Sequence, residues 1–187
     1  MLHVLFVCSG NTCRSPMAMA IYEKVSREMG ISSIFSSAAL GFYTEDKVSA
    51  NAVVVCNEIG LDISHHHPRP IRERDIRIAD IFVAMTEQHA QILMSVGVPK
   101  SSIYILGGGI PDPYGSDIAT YRKCRSYIEE SVVEFCRIVK KKMDDGTLVT
   151  HDSLKSTAAS QTDPSAQSAE AKEQTDGQDS SEKGEEV

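Results

Sequence analysis

No apolar run in this 187-residue sequence approaches the roughly 20 residues that a membrane-spanning helix needs. An apolar run at residues 2–7 is too short for the core of a secretion signal, and no lysine or arginine precedes it. The sequence therefore predicts neither membrane contact nor an export signal, and it favours a cytoplasmic location.

A basic surface is also missing. The net charge is −7, and the segment 151–187 carries −6 of it, with nine acidic residues against three lysines. The rest of the chain is almost neutral, so it cannot build the broad basic face that nucleic acid requires. Nucleic acid is therefore excluded as the main partner.

The cysteines lack a pairing pattern. There are five, an odd number, at unrelated spacings and without an export signal, which predicts reduced thiols. Three of them fall on predicted helix faces and are expected to pack in the core: Cys56, Cys124 and Cys136.

The chain does contain a regular alternation of short apolar strands and amphipathic helices. Strands are predicted at residues 2–7, 34–38, 81–84 and 102–106. The first helix is predicted to have Ser15 as its N-cap residue and Pro16 at its first position, and to end at Gly30; further helices are predicted at 50–59, 87–96 and 117–142. This order predicts an α/β fold: a single three-layer domain with a four-stranded parallel sheet and helices on both faces. The domain is expected to occupy residues 1–143. Residues 144–187, rich in Ser, Thr, Gln and acids, are predicted to form a disordered tail.

The turn after the first strand has the composition of an anion-binding loop. Small residues that lead into a helix N-terminus direct successive backbone N–H groups into one concavity, and such sites lie at the carboxyl ends of parallel strands. Gly10 and Asn11 tolerate the left-handed backbone that this curl needs. The predicted phosphate-binding loop consists of Cys8, Ser9, Gly10, Asn11, Thr12, Cys13, Arg14 and Ser15.

Two residues of this loop predict chemistry. The loop donors, together with the Ser15 hydroxyl, favour a thiolate at Cys8, and a thiolate beside bound phosphate is a nucleophile. Arg14 can hold two phosphate oxygens in a bidentate fork. Because the loop lacks the Gly-Lys-Ser/Thr ending of nucleotide-binding loops, a phosphate monoester or phosphoramidate is expected rather than ATP. The alternative is that Cys8 is a buried structural thiol.

This loop, followed much later by Asp112-Pro113-Tyr114, resembles the low-molecular-weight protein tyrosine phosphatase family over about residues 1–142. The resemblance implies the phosphotyrosine protein phosphatase I-like fold and a two-step reaction through a phosphocysteine, without metal or organic cofactor. It makes Cys8 the nucleophile and Arg14 the phosphate-binding residue. Asp112 would protonate the leaving group and then activate water, although Asp-Pro alone is a common turn signal.

The resemblance also suggests roles for the rest of the loop. Ser15 would support the thiolate, and Asn11 would hold the loop's shape. Cys13 is the predicted redox partner of Cys8, which it would trap as a disulfide after oxidation; simple loop filling is the alternative.

Thr12 bears on which phosphorylated side chain is the substrate. Tyrosine-specific members of the family commonly carry a bulky aliphatic residue at the matching position, whereas the bacterial protein-arginine phosphatases resemble this sequence in having threonine there. A short polar side chain leaves room for a planar guanidinium. Phosphoarginine in proteins is therefore the predicted substrate and phosphotyrosine the alternative, while Tyr114 could flank either group.

Other functions and sites are less well supported by the residues. Thioredoxin-coupled arsenate reductases need two further cysteines after the third strand, and residues 82–97 contain none. A non-catalytic phosphate-binding module would not need both Cys8 and Asp112. No metal is predicted, because the adjacent histidines at 65–67 cannot all face one ion. The family resemblance implies that one of them approaches the loop. The arginine-rich run 69–77 is predicted to be a solvated helix face, and the chain to act as a monomer.

Overall fold

The computed structural model describes residues 1–41 and 45–150. Its four strands form one sheet in the order β2-β1-β3-β4, in which every neighbouring pair is parallel. The predicted four-stranded parallel sheet is confirmed. The strands are β1 (Leu2–Cys8), β2 (Ser33–Ala39), β3 (Ile81–Ala84) and β4 (Ile103–Ile105).

Helices cover both faces of this sheet, as predicted. They are α1 (Arg14–Glu28), α2 (Ala50–Asn57), α3 (Glu73–Ile78), α4 (Glu87–Ser95) and α5 (Ile118–Asp144). Helices α1, α2 and α5 share one apolar cluster with one face of the sheet, and α3 and α4 share the other.

The central strand β1 shows why both faces are needed. Successive side chains of a strand point to opposite faces, and Val4 and Phe6 join the first cluster while Leu5 and Val7 join the second. All four side chains are at most 2% exposed. Because burying a large apolar side chain contributes about 2 kcal/mol, β1 is a rigid base for the loop that follows it.

The start of α1 differs from the predicted one. The helix begins at Arg14 with Cys13 as its N-cap residue, and the Cys13 carbonyl accepts the first helical bond from the N–H of Met17 at 3.2 Å. The prediction of Ser15 as N-cap was therefore wrong. Ser15 lies inside the first turn, fully buried, and its hydroxyl faces the preceding loop.

The C-terminal end of the described chain follows α5. Leu148, just beyond the helix, packs against the first apolar cluster. The division into a domain of residues 1–143 and a tail of 144–187 stays a prediction, because residues 151–187 lie outside the described part. Within residues 1–41 and 45–150, none of the helices is long and apolar enough to span a membrane.

Candidate active site

The predicted loop leaves β1 at Cys8 and enters α1 at Arg14, at the carboxyl end of the central strand. The curl depends on Asn11, whose φ of 56° lies in the left-handed region; Gly10 stays outside that region. An asparagine tolerates this conformation better than most residues. One of the two residues predicted to allow the curl therefore provides it.

The Cys8 sulfur lies on the floor of this loop and is surrounded by donors. The backbone N–H of Asn11 points to Sγ at 3.3 Å, and the Ser15 hydroxyl lies 3.0 Å from it. Asn11 Nδ2 donates to Ser15 Oγ at 2.9 Å, so the hydroxyl hydrogen of Ser15 is directed to the sulfur. The sulfur therefore has two hydrogen-bond donors directed to it, one from the backbone and one from a side chain.

Asn11 anchors the loop to the body of the protein. Its side chain is fully buried; Nδ2 also donates to Ser37 Oγ at 2.9 Å, and Oδ1 accepts from the backbone N–H of Arg69 at 3.1 Å. His66 Nε2 lies 3.1 Å from the same Oδ1. Burial lowers the pKa of His66, so the ring is a neutral donor to that oxygen at neutral pH. His66 is thus the histidine that approaches the loop.

Arg69 connects this anchor to α3. Its guanidinium makes two contacts with the Asp75 carboxylate, at 2.6 Å and 3.0 Å. The run 69–77 was predicted as a solvated helix face. Its helical part, α3, has no buried residue, in keeping with that prediction. Arg69, which precedes the helix, instead forms an ion pair with Asp75 while its backbone N–H holds the Asn11 side chain.

Arg14 and Asp112 are in contact in the cavity that Cys8 also lines. Arg14 is buried inside the loop, and its Nη2 donates to Asp112 Oδ2 at 2.5 Å, while Nη1 donates to the carbonyl of Ile110 at 3.3 Å. The Asp112 side chain is 48% exposed, so it lies at the entrance. Two predicted catalytic residues that are 98 positions apart are therefore in direct contact.

The loop that carries Asp112 is held at its start and its middle. Gly107 has φ of 59°, and a Cβ there would lie 2.3 Å from Ser131 Oγ, so only glycine fits. Tyr127 donates its hydroxyl to the Gly107 carbonyl at 2.6 Å, and the N–H of Ile110 donates to the Met85 carbonyl at 2.7 Å. These bonds fix the direction in which Asp112 enters the site.

A cavity of about 290 Å³ opens above the loop. The predicted nucleophile, the predicted acid and both residues predicted to determine specificity line this cavity. Asn11 and Ser15 do not line it and instead hydrogen-bond within the loop. Its lining residues are Cys8, Ser9, Gly10, Thr12, Cys13, Arg14, Gly41, Glu45, Asp112 and Tyr114.

Cys13 is buried beside this cavity. The hydroxyl of Tyr121 lies 3.2 Å from its sulfur and itself accepts from Ser49 at 3.0 Å. Burial raises the pKa of Cys13, and the Tyr121 bond offsets part of that effect. All five cysteines are free thiols, and the predicted core positions of Cys56, Cys124 and Cys136 are confirmed by their burial. The redox role of Cys13 stays a prediction.

Sequence reasoning missed His89. This histidine belongs to the first turn of α4, where Nδ1 lies 2.9 Å from Thr86 Oγ1 and Nε2 lies 2.9 Å from Ser9 Oγ. Burial, and then the nearby charge of Arg14, lower the pKa of His89 to about 4. The neutral ring therefore supports the loop from beneath. No motif marks it, because Thr86 and His89 look like an ordinary helix start.

The three adjacent histidines diverge. His66 contacts Asn11, whereas the His65 side chain is 94% exposed beside Asp62. Among residues 1–41 and 45–150, no group of three or more His, Cys, Asp or Glu side chains is arranged to hold a metal ion.

A family model described as low molecular weight phosphotyrosine protein phosphatase matches residues 3–145. The chain belongs to this family. Its members are protein phosphatases, and so is this chain, which confirms the predicted enzyme class. The family match also confirms the resemblance inferred from the Cys8 loop and the Asp112 segment.

Individual relatives include both arginine phosphatases and tyrosine phosphatases. The protein-arginine-phosphatase of Bacillus subtilis is 32% identical over 148 residues, which cover 75% of this chain and 98% of the relative. The low molecular weight protein-tyrosine-phosphatase PtpB of Staphylococcus haemolyticus is 32% identical over 133 residues, which cover 65% and 88%.

Solved structures also match most of this chain. A YwlE mutant from Bacillus subtilis superposes with a TM-score of 0.71 at 30% identity, covering 75% of this chain and 99% of the other. A cysteine-to-serine mutant of the YwlE arginine phosphatase, with a phosphorylated active-site serine, also has a TM-score of 0.71 at 30% identity and covers 75% and 97%. This chain therefore matches both structures over almost their full length.

Proposed function

We propose that the enzyme removes phosphate from phosphoarginine side chains of proteins through a covalent intermediate on Cys8. The observation that supports this proposal best is the contact of Arg14 with Asp112 in the same cavity that the hydrogen-bonded Cys8 sulfur lines. The residues proposed as nucleophile, phosphate-binding arginine and proton donor thereby line one cavity.

Phosphate entry would rearrange the Arg14–Asp112 pair. The guanidinium offers two parallel N–H groups, and two phosphate oxygens match them better than the single Asp112 oxygen does. Bound phosphate would therefore take over Arg14 and release Asp112, which would take up a proton from solvent and return it when the ion pair re-forms after phosphate leaves. Since Asp112 is half-exposed at the entrance, its freed carboxyl group lies on the side where the leaving group departs.

The first chemical step would then transfer phosphate to sulfur. The Cys8 thiolate attacks phosphorus, the S–P bond forms and the P–N bond of phosphoarginine breaks. The departing guanidine nitrogen takes the proton of Asp112. Backbone N–H groups of the loop and Arg14 stabilise the charge on the three phosphate oxygens.

The second step would return the enzyme to its starting state. Asp112, now a carboxylate, accepts a proton from water, and the oxygen of that water attacks phosphorus. The S–P bond breaks, inorganic phosphate leaves and Cys8 is again a thiolate. The cycle consumes one water and needs no metal.

The arginine preference is supported by Thr12 and by the Bacillus relative. Thr12 is 7% exposed and lines the cavity, with its Oγ1 3.6 Å from the sulfur of Cys13. Its short polar side chain leaves room beside the nucleophile, and Asp112 can hydrogen-bond to guanidine nitrogens. The relative covered over 98% of its length is a protein-arginine-phosphatase.

Phosphotyrosine is the second candidate. The exposed ring of Tyr114 lines the cavity and could stack on a phenyl group, and other relatives are tyrosine phosphatases.

Two phosphopeptides of one sequence, carrying phosphoarginine or phosphotyrosine at the same position, distinguish these candidates. We expect the wild type to have the larger kcat/KM on phosphoarginine. Thr12→Ile fills the space beside the nucleophile and should lower that value by about tenfold or more relative to phosphotyrosine. Thr12→Ser, which keeps the hydroxyl, is the matched control. A preference for phosphoarginine that survives Thr12→Ile would contradict the role given to Thr12.

A further inference from the structure

Glu45 lies at the entrance of the cavity, and no motif pointed to it. Its Oε1 accepts a hydrogen bond from the hydroxyl of Tyr114 at 2.5 Å, across 69 positions of sequence. Both side chains line the cavity. The bond to Glu45 raises the pKa of Tyr114, as expected when a phenol donates to a carboxylate.

This bond holds an otherwise exposed ring. The Tyr114 side chain is 60% exposed, and a short bond to a charged acceptor restricts an aromatic ring that has few packing contacts. The backbone N–H of Tyr114 meanwhile donates to Asp112 Oδ1 at 3.2 Å. Tyr114 therefore links Glu45 to the proposed acid.

Glu45 also changes the charge at the entrance. The floor of the cavity carries the positive Arg14, which suits phosphate, whereas Glu45 and Asp112 place two carboxyl groups at the entrance. A phosphorylated guanidinium is positive directly behind its phosphate, and the ring of phosphotyrosine is neutral there. The Glu45 carboxylate near that position attracts the first substrate and gives the second no comparable gain.

We propose that Glu45 determines substrate specificity: its carboxylate orients the Tyr114 ring and attracts the positive charge behind the phosphate of a guanidinium substrate. This inference rests on the phosphoarginine phosphatase activity proposed above. Glu45 would thus be a third specificity-determining residue beside Thr12 and Tyr114.

Three variants separate the two effects of Glu45. Glu45→Gln keeps an oxygen acceptor for Tyr114 but removes the charge. Tyr114→Phe keeps the ring and the charge but removes the bond that joins them. Glu130→Gln, at an exposed position of α5, is the control for loss of one negative charge far from the cavity.

The readout is kcat/KM on the matched phosphoarginine and phosphotyrosine peptides at low and high salt. Glu45→Gln should lower the value on phosphoarginine about fivefold and leave phosphotyrosine unchanged, since exposed charge pairs have effects of this size. The difference should shrink at high salt. Tyr114→Phe should affect both substrates alike, and Glu130→Gln neither.

A phosphoarginine-to-phosphotyrosine ratio that is the same in Glu45→Gln and wild type would overturn the inference. Failure of the underlying activity looks different: the wild type itself would then prefer phosphotyrosine. In that case, phosphotyrosine peptides with lysine or glutamine next to the phosphorylated residue test the charge effect independently. A lysine preference that Glu45→Gln abolishes supports the inference, and a lysine preference that persists refutes it.

Discussion

The floor and the entrance of the active site are built from different interactions. On the floor, Cys8, Asn11 and Ser15 are buried, and the uncharged donors of Asn11 and Ser15 hydrogen-bond to the Cys8 sulfur and to one another. At the entrance, Asp112 and Tyr114 are half-exposed or more, and each is held by one charged partner.

This difference separates two tasks. Buried hydrogen bonds are little affected by salt and keep a phosphate-binding shape before any ligand arrives. Exposed charged contacts exchange partners easily, which a proton donor must do when phosphate takes its place at Arg14. The floor would therefore determine whether phosphate is bound and attacked, and the entrance which leaving group departs.

The largest effect is expected from Asp112→Asn at the entrance. An amide has no carboxyl proton to donate, so kcat on phosphopeptides should fall by about 10³-fold. The p-nitrophenolate ion leaves without a proton, so the first step on p-nitrophenyl phosphate should survive as a burst of product. Stopped-flow absorbance measures this burst, with Asp145→Asn, exposed beyond α5, as the control. Equal losses in the burst and in peptide turnover would contradict a proton-donor role.

The next largest effect should come from Asn11→Ala on the floor. This change removes the donor to Ser15 and the acceptor for Arg69 and His66. Loss of several buried hydrogen bonds should lower the free energy of unfolding by about 2–3 kcal/mol. Because the loop would shift, kcat on p-nitrophenyl phosphate should fall by about 100-fold.

Asn57→Ala, at an exposed position of α2, is the matched control for this change. Activity and thermal unfolding are measured at low and high salt, and both losses should be independent of salt. Losses that disappear at high salt would show that the floor is held by charge rather than by hydrogen bonds.

The smallest effect concerns His89 beneath the loop. Its pKa is about 4 in the folded protein, against an ordinary value near 6.5. Between these values the unfolded chain binds a proton that the folded protein does not, so stability should fall as pH falls from about 6.5 to 4. We expect a loss of about 1–2 kcal/mol over this range.

His89→Gln should reduce this pH dependence, because glutamine keeps hydrogen-bonding groups and does not titrate. A smaller slope should remain from His66, whose pKa is also lowered by burial. The exposed His65→Gln is the control. Thermal unfolding between pH 4 and 7 is the measurement, and identical slopes for His89→Gln and wild type would contradict the account.

The parts of the site that sequence could predict are those encoded locally. An apolar strand buried on both faces, a curled loop and a helix follow one another within residues 2–28, so Cys8, Arg14 and Ser15 could be assigned together. The N-cap was misplaced because the loop's own Cys13 carbonyl starts the helix.

The parts that could not be predicted depend on distant segments. Which of three adjacent histidines meets Asn11 is decided by how the chain turns before Arg69, and only His66 faces the loop. His89 and Glu45 come from an ordinary helix start and an ordinary loop. Packing of α4 brings the first to Ser9, and the bond to Tyr114 gives the second its position.

The central claim is that the Cys8 sulfur itself receives the phosphate, and it can be tested by trapping the enzyme during turnover. Asp112→Asn should be phosphorylated by p-nitrophenyl phosphate and then hydrolyse slowly, because no carboxylate activates water. We predict that mass spectrometry after rapid quenching at neutral pH finds one phosphate on the peptide that contains Cys8. An unmodified Cys8 peptide, together with undiminished turnover by Cys8→Ser, would contradict the account.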